Sequence, residues 1–318
     1  MPTPIRSILF AGSGAFGLPT LKRLRTMTGV TLHVVSQPDR PAGRGRKLAP
    51  TPIAAYALEH HLPLLRTDSI NTQTLPDVDA MVVIAFGQKI SQTVVNRPRW
   101  GAMNLHASLL PKYRGAAPIH WAILNGEIVT GNSIIRLADR MDAGAILAQS
   151  HLDIGECETT GELHDRLAED GAGLIAQVLA QFEANGTVIE HPQDESLASI
   201  APKLSREQSM IDWNQPAENV ARRIRGLCPW PGCRVRLLDA ARNEVARATL
   251  LTAKVVPGEG DRWAPGEIDC CGAVNAGNGA QAVEIVQIQP EGRRPMSLAD
   301  YRRGYRWQPG LRLESVLQ

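Results

Sequence analysis

Short apolar runs recur along the first 150 residues and alternate with segments of helical spacing. The runs are nearly continuous, as expected of strands that are buried on both faces of a parallel sheet. The predicted strands are Ser7–Ala11, Val30–Ser36, Asp79–Ala85, Ala102–His106, Ser133–Leu137 and Ala145–Leu152. The predicted helices are a segment carrying Thr20, Leu21 and Leu24, together with Thr51–His60 and Pro118–Leu124. This alternation predicts an α/β domain with a mostly parallel sheet and helices on both of its faces.

The longest helix is predicted over Thr159–Glu183. Thr159 and Glu162 have the spacing of a capping box, in which each side chain bonds to the backbone N–H of the other residue. One apolar stripe predicts a buried face, and Asn185-Gly186 provides a stop signal. The stripe consists of Leu163, Leu167, Leu174, Val178 and Phe182.

The pattern changes after this helix. Residues 186–205 have weak periodicity and are interpreted as a linker. A helix over Ala217–Gly226 follows, and then short strands separated by Gly and Pro, which favour a small barrel or sandwich. These strands are Arg234–Leu238, Ala246–Val256, Gly266–Asp269 and Ala282–Gln289. We therefore expect two domains, 1–205 and 206–318.

Composition narrows the class of protein. Hydrophobic residues make up 43% of the 318 residues and charged residues 21%, which is typical of globular proteins and excludes disorder and fibrous repeats as the main feature. The net charge of +2 argues against a uniformly basic nucleic-acid-coating protein, although a local basic patch is compatible with it. Residues 1–202 carry 17 basic and 19 acidic residues, whereas residues 203–318 carry 17 and 13.

We expect a cytoplasmic protein without a membrane partner, because no apolar run approaches the ~20 residues of a membrane-spanning helix and the N-terminus does not resemble a signal peptide. The five cysteines are odd in number and form no CxxC pair that is matched by a second Cys or His pair. Reduced, small apolar side chains are therefore favoured over disulfides, and no metal site is expected.

The segment Gly12–Gly17 follows the first strand and has the form GxGxxG, which can mark a dinucleotide site. The acidic residue of such a site belongs at the end of the second strand, where this chain has Ser36. Asp39 lies further on, and Arg40 beside it keeps an NADP-binding alternative open. We favour the other interpretation, that these glycines allow a tight turn between strand and helix.

The loop Asp39–Pro50 concentrates positive charge above the expected ligand-binding edge of the sheet. Its cations are Arg40, Arg44, Arg46 and Lys47. They suit a clamp on a polyanion, although a solvated loop could also contain them. The second domain has basic residues near aromatic ones, which are compatible with phosphate contact and base stacking or with a solvated helix face. These are Arg222, Arg223, Arg225, Arg302, Arg303 and Arg306, near Trp230, Tyr301, Tyr305 and Trp307.

An amide and an imidazole converge at the end of one predicted strand. Asn104 and His106 are two residues apart, so their side chains point to the same side. Asp142 follows in a turn, Arg140-Met-Asp-Ala-Gly144. Together these groups could polarise a carbonyl and move protons, although each also has a purely structural explanation.

The run NLHASLLPKYRGAAPIHWAILNG (104–126) resembles the signature of the folate-dependent formyltransferases. The loop SQPDRPAGRGRKLAPTPI (36–53) is similar to the branch of that family that acts on methionyl-tRNA. The segments FAGSGAFGLPTLKRL (10–24), VVIAFGQKI (82–90) and CPWPGCR (228–234) resemble it too. One departure is Ser13–Gly17, where the family usually has a run such as Thr-Pro-Glu-Phe-Ala.

This resemblance implies a Rossmann-like N-terminal domain and an OB-like C-terminal barrel that binds tRNA. It implies 10-formyltetrahydrofolate as the formyl donor and the amino group of initiator methionyl-tRNA as the acceptor, and we expect a monomer. The implied catalytic residues are Asn104, His106 and Asp142. The implied folate-binding residues are Ser108, Leu109, Leu110 and Pro111, with Phe86, Gly87 and Gln88, and the implied tRNA-binding residues are Arg40, Arg44, Arg46 and Lys47.

Two alternatives stay open at this point. Asp139 lies close to Asp142 in the sequence and could be the acting carboxylate. The function could also be formyl transfer to a sugar nucleotide, or NADP-dependent oxidation and reduction.

Overall fold

The computed structural model describes residues 4–42, 45 and 47–317. The chain forms two compact units, each built from segments that are separate in sequence. The first consists of Met1–Gly115, Thr130–Leu152 and His164–Ile200, and the second of Ala116–Val129, Asp153–Leu163 and Ala201–Gln318. A functional division into domains 1–205 and 206–318 stays a prediction.

The strands as far as residue 201 follow the predicted order, with several short additions. They are β1 (Ser7–Gly12), β2 (Thr31–Ser36), β3 (Arg40–Ala42), β4 (Lys47–Ala49), β5 (Leu64–Arg66), β6 (Ala80–Ile84), β7 (Ala102–His106), β8 (Arg114–Gly115), β9 (Val129–Arg136), β10 (Ile146–Asp153) and β11 (Ile200–Ala201). The helices of the same region are α1 (Leu18–Arg25), α2 (Pro52–Glu59), α3 (Gln92–Val95), α4 (Pro118–Leu124) and α5 (Thr160–Asn185).

Seven of these strands form one sheet in the order β10-β9-β7-β6-β1-β2-β5. The pairs from β7 to β5 are parallel, and β9 runs antiparallel to β7. The strand cores are fully buried, with Ile8, Phe10, Met81 and Met103 at 0% exposure. The predicted α/β class with a mostly parallel sheet is therefore confirmed.

The start of α5 agrees with its predicted capping box. The N–H of Thr159 donates to Glu162 Oε2 at 2.9 Å, and the N–H of Glu162 donates to Thr159 Oγ1 at 3.3 Å. The five residues of the apolar stripe are all buried. Gly186 follows the helix with φ +72°, a conformation that Gly adopts without steric cost.

The second unit contains a nearly closed, antiparallel, barrel-like sheet. Its strands are β12 (Cys233–Leu238), β13 (Glu244–Pro257), β14 (Val274–Asn275), β15 (Gln281–Pro290), β16 (Met296–Ser297) and β17 (Arg312–Ser315), and its later helices are α6 (Ala217–Gly226) and α7 (Leu298–Gly304). The strand order is β14-β15-β13-β12-β17, and β16 pairs with β15. Isolated bridges from Glu267 to Arg312 and from Ile268 to Val274 link the two edge strands.

Three segments differ from their predictions. Gly266–Asp269 forms only isolated bridges rather than a strand, because Gly266 has φ +87° and Asp269 accepts backbone N–H groups in a turn. The loop Asp39–Pro50 contains a β-hairpin, since β3 pairs antiparallel with β4. The segment 186–205 carries a 3-10 helix at Glu195–Leu197 and strand β11. Within the described residues, no helix is long and apolar enough to cross a membrane.

Candidate active site

The segments that carry His106 and the predicted folate-binding residues follow two neighbouring strands of the large sheet. Strands β6 and β7 are parallel neighbours, with Val83 opposite Asn104, so the segments after both strands leave the sheet at the same end. Asn104 is also paired with Ile135 of β9, so its backbone is held by a neighbouring strand on each side. Its side chain is partly exposed, and it has no hydrogen-bond partner among the residues that the structure describes. The amide is therefore free to bind a ligand.

His106 and Asp142 are brought together. His106 Nδ1 lies 3.6 Å from Asp142 Oδ2, and the two side chains are 7% and 13% exposed. His106 Nε2 lies 2.9 Å from the carbonyl oxygen of Tyr113. Because a carbonyl only accepts, Nε2 carries the hydrogen of this bond. Nδ1 is therefore the ring nitrogen that can take up or release a proton, and it faces the carboxylate.

The turn that carries Asp142 has an uncommon backbone. Asp142 has φ +55°, in the left-handed region. Two residues later, a Cβ on Gly144 would lie 1.8 Å from the carbonyl oxygen of Arg136, so only Gly fits there. Asp142 Oδ2 accepts the N–H of Gly115 at 2.8 Å. Asp139 is exposed, so Asp142 is the carboxylate that lies against His106.

Sequence reasoning missed three residues beside Asp142. Arg114 is almost fully buried, and its guanidinium bonds to Glu195 at 2.9 and 3.0 Å and to Gln193 at 2.6 and 3.1 Å. Glu195 also pairs with Arg140 at 2.8 Å. The hydrogen bond from Arg114, assisted by the one from Arg140, lowers the pKa of Glu195 to about 2. No spacing rule identifies Gln193 or Glu195, because they lie in the segment of weak periodicity.

The segment Ser108–Pro111 is held by side chains from β9 and β10. Ser133 Oγ accepts the N–H of Leu110 at 3.0 Å and donates to the carbonyl of Ser108 at 2.6 Å. Gln149 Nε2 donates to the carbonyl of Leu110 at 3.0 Å. The Ser108 hydroxyl donates to the Lys112 carbonyl, and Leu109 is partly exposed. The surrounding chain thus fixes the backbone of this segment.

The second group of predicted folate-binding residues follows β6. The Phe86 side chain is 2% exposed and belongs to the core. Gln88 uses both ends of its amide, with Oε1 accepting the N–H of Ile70 at 2.9 Å and Nε2 donating to the Thr67 carbonyl at 2.7 Å. Gly87 is exposed with φ +73°. A ligand would therefore meet this segment mainly through its backbone.

The glycine-rich turn after β1 is closely packed. The N–H groups of Ser13 and Gly14 both donate to the carbonyl of Ala85, at 3.3 and 3.2 Å. A Cβ on Gly12 would lie 2.7 Å from the Phe10 ring and 2.9 Å from the Ile84 carbonyl oxygen. A pyrophosphate would need N–H groups that are already engaged here, so the turn interpretation is favoured over a dinucleotide site.

The basic hairpin is described only in part. Arg40 and Lys47 are exposed at opposite ends of the β3–β4 pair. Arg44 and Arg46 lie outside the described residues. Asp39 is paired with Arg66 at 2.8 Å, so the acidic group of this segment is already neutralised.

The arginines that lie near aromatic residues in the second unit differ in their contacts. Arg223 donates to the Gln208 carbonyl at 2.6 Å and Arg225 to the Glu158 carbonyl at 2.9 Å, and burial lowers the pKa of Arg225. Both therefore have structural contacts. The group around α7 is exposed, and there Tyr305 stacks on the buried Tyr301 with ring centroids 4.6 Å apart.

All five cysteines are free thiols. Among the residues that the structure describes, no group of three or more His, Cys, Asp or Glu side chains could hold a metal ion.

Comparison with known proteins gives consistent names. The formyl transferase family model matches residues 6–179, and the formyl transferase C-terminal domain model matches residues 203–306. A protein of Geobacter metallireducens named methionyl-tRNA formyltransferase is 38% identical over 318 residues, covering 96% of this chain and 98% of its own. One of Moorella thermoacetica with the same name is 40% identical over 309 residues, covering 95% and 97%.

Two solved structures share the fold of this chain. The sugar 3-N-formyltransferase WlaRD, crystallised with dTDP and 5-N-formyl-THF, superposes with a TM-score of 0.62 at 15% identity over 92% of this chain and all of its own. HypX of Aquifex aeolicus, in complex with tetrahydrofolic acid, gives 0.60 at 18% identity over 96% of this chain and 49% of its own. At such identities the likeness concerns the fold. The two domain models and the near full-length relatives place this chain in the formyl transferase family.

Proposed function

We propose that this protein transfers the formyl group of 10-formyltetrahydrofolate to the amino group of initiator methionyl-tRNA, which supports translation initiation in the cytoplasm. The relatives with this name are 35–40% identical over nearly the whole chain. The observation that carries the chemistry is the His106–Asp142 pair, together with Asn104, which precedes His106 by two residues on strand β7.

Asn104 is proposed as the oxyanion donor. When an amine adds to a formyl carbon, the carbonyl oxygen gains negative charge. The Asn104 amide is partly exposed and has no side-chain hydrogen bond within the described part of the chain, and its strand is paired on both sides. A donor of this kind contributes roughly 3–4 kcal/mol to transition-state stabilisation in comparable sites.

Asp142 and His106 are proposed to handle the proton. An α-amino group has a pKa of about 7.7–8, so a useful fraction of the acceptor is neutral near pH 7 and the nitrogen loses its proton only after attack. Asp142 accepts that proton, and His106 Nδ1, 3.6 Å away, can share it and return it to the departing folate nitrogen. One C–N bond forms and one breaks, and the proton count is conserved.

The folate is proposed to bind beside Ser108, Leu109, Leu110 and Pro111, and beside Phe86, Gly87 and Gln88. Both segments follow neighbouring parallel strands, where α/β sheets bind ligands. The exposed backbone at Gly87 can offer N–H and C=O groups to a heterocycle with amide-like edges. The hydrogen bonds from Ser133 and Gln149 fix the shape of the neighbouring segment Ser108–Pro111.

The tRNA is proposed to contact the basic hairpin and the domain 206–318. Arg40 and Lys47 are exposed, and Arg44 and Arg46 lie in the same short segment. Four cations in such a segment suit a phosphate backbone. We expect the protein to act as a monomer.

The test is incubation of the purified protein with 10-formyltetrahydrofolate and charged initiator tRNA, followed by ester hydrolysis and measurement of formyl-methionine. Formation of this product with a saturable dependence on both substrates is expected. Formylation of an amino-sugar nucleotide without activity on methionyl-tRNA would instead support the sugar formyltransferase alternative. Reduction or oxidation of a nicotinamide nucleotide without formyl transfer would support an oxidoreductase.

A further inference from the structure

We propose that Gln193, oriented by Arg114, is a positioning residue that holds the Asp142 carboxylate against His106. The inference rests on the proposed function, since it assigns a role to Asp142 in formyl transfer. It concerns Arg114 and Gln193, two residues outside the Asn104–His106–Asp142 group. Gln193 lies in the segment 186–205 that was interpreted from the sequence as a linker.

Gln193 is fully committed to the turn that carries Asp142. Its Nε2 donates to the carbonyls of Asp142 and Gly144, each at 2.8 Å. Its Oε1 accepts from Arg114 Nη2 at 2.6 Å and Nε at 3.1 Å. Both N–H groups and the carbonyl of one amide are therefore used, and two of these bonds hold the backbone on either side of Ala143.

Arg114 closes the arrangement into a ring. The residue after it is Gly115, whose N–H donates to Asp142 Oδ2 at 2.8 Å. The main chain of Asp142 is thus held through Gln193 and its carboxylate through Gly115, and Arg114 connects the two. Gln193 and Gly115 therefore restrain Asp142 at its main chain and at its carboxylate.

Arg114 orients Gln193 through hydrogen bonds, and its charge is balanced by a carboxylate. Its guanidinium is almost fully buried and pairs with Glu195 at 2.9 Å. Glu195 also pairs with the exposed Arg140, two residues before Asp142. Arg114 therefore contributes a fixed fork of donors, which is the property that distinguishes Arg from Lys.

The turn needs external support because its backbone is not locally favoured. Asp142 adopts φ +55° without the conformational freedom of Gly. Such backbones persist when surrounding contacts over-determine them. Gln193 supplies two of those contacts, and loss of both would allow the carboxylate to move away from Nδ1.

The experiment compares Gln193→Met, which keeps the side-chain length and removes all four polar contacts, with Gln193→Glu, which keeps an acceptor for Arg114 and loses both N–H donors. We expect kcat to fall about 100-fold in both variants, as a displacement of about 1 Å can cause, with KM for both substrates unchanged. Asp194→Asn is the matched control, because the hydrogen bonds that the Asp194 side chain accepts within the described residues come from Ser196 alone. It should retain wild-type kcat.

Thermal unfolding and folate affinity are measured for every variant. A folded Gln193→Met with wild-type kcat overturns the inference. A parallel loss of folate affinity and kcat also overturns it, since that pattern indicates general disruption of the site. If Gln193→Met does not fold, the Gln193→Glu result decides by the same two criteria.

The double variant Gln193→Met with Asp142→Asn separates this inference from the proposed function. If Gln193 acts through Asp142, single-turnover rates of the double variant equal those of Asp142→Asn alone. A further 100-fold loss overturns the positioning role while leaving Asp142 catalytic. Wild-type activity of Asp142→Asn alone would overturn the catalytic assignment, and the positioning role with it.

Discussion

Asp142 Oδ2 lies 3.6 Å from Nδ1 of His106, on the side of the ring opposite the bond from Nε2 to the Tyr113 carbonyl. The ring is therefore anchored at one nitrogen and faces a carboxylate with the other. This separation exceeds a direct hydrogen bond, and catalytic contacts commonly tighten when substrate binds.

Asp142→Ala tests this pair. If Asp142 is the proposed proton acceptor, removal of its carboxylate leaves the attacking nitrogen without one, and kcat should fall by about 100-fold to 10,000-fold. Folding and folate affinity should largely survive. Asp139→Ala is the control, since Asp139 is exposed three residues away. Near wild-type turnover by Asp142→Ala would exclude this carboxylate as the proton acceptor.

Asn104→Ala tests the oxyanion donor. Loss of one such donor reduces kcat by about 100-fold to 1,000-fold in other acyl-transfer sites. The stability of the sheet should change little, because the Asn104 side chain makes no hydrogen bond among the described residues. Rapid-quench measurement of the chemical step would reveal the effect, and an altered folate affinity with an unchanged rate would argue for a binding role.

Arg44→Ala tests the proposed tRNA contact of the basic segment Asp39–Pro50. A phosphate-contacting side chain contributes to both affinity and salt dependence, so KM for tRNA should rise and the slope of log affinity against log salt should decrease by about one. Folate affinity should be unaffected. Arg97→Ala, which removes a cation paired with Asp77, provides the control. If the variant and the wild type had the same tRNA kinetics at every salt concentration, Arg44 would not contact tRNA.

Glu195→Gln tests how the ion pair between Glu195 and Arg114 contributes to stability at low pH. The pKa of Glu195 is lowered from 4.5 to about 2 in the folded protein, chiefly by the hydrogen bond from Arg114. A lowered pKa means that the stabilisation is present above pH 4.5 and is lost as the pH falls toward 2. The wild type should therefore exceed Glu195→Gln in urea midpoint at pH 6, and the difference should shrink as the pH falls. A difference that stays constant with pH would contradict the assignment.

The main elements of the fold were predictable because their signals are local and repeated. Strand β7 and helix α4 agree with their predicted bounds at both ends, and the capping box at Thr159 forms as expected. Strands of two to four residues, such as β8 and β14, were missed. An alternating pattern cannot be recognised over so few positions. The strand predicted at Gly266–Asp269 was wrong, because a hydrogen-bonded turn lies at each of its ends: the Glu267 N–H donates to the Ala264 carbonyl, and the Gly272 N–H donates to the Asp269 carbonyl.

Only part of the candidate site could be predicted from spacing along the sequence. Asn104 and His106 share a face because strands alternate, which sequence spacing shows directly. The approach of Asp142 to His106 depends on how β9 returns beside β7, which the resemblance implied but spacing did not. Gln193 is 51 residues from Asp142, and only the folded chain reveals that it holds the turn.

The packing of helix α4 has a consequence for how the polypeptide is made. Leu124 and Ile123 of this helix lie against Gly226 of α6, where a Cβ would be 3.0 and 3.4 Å from them. Trp121 packs against the same core, which includes Ile224 and Leu227. When a nascent chain has emerged only as far as residue 205, α6 has not yet been made. The side of α4 that carries Trp121 and Leu124 is then uncovered. That face of α4 gains its cover only when α6 has been synthesised.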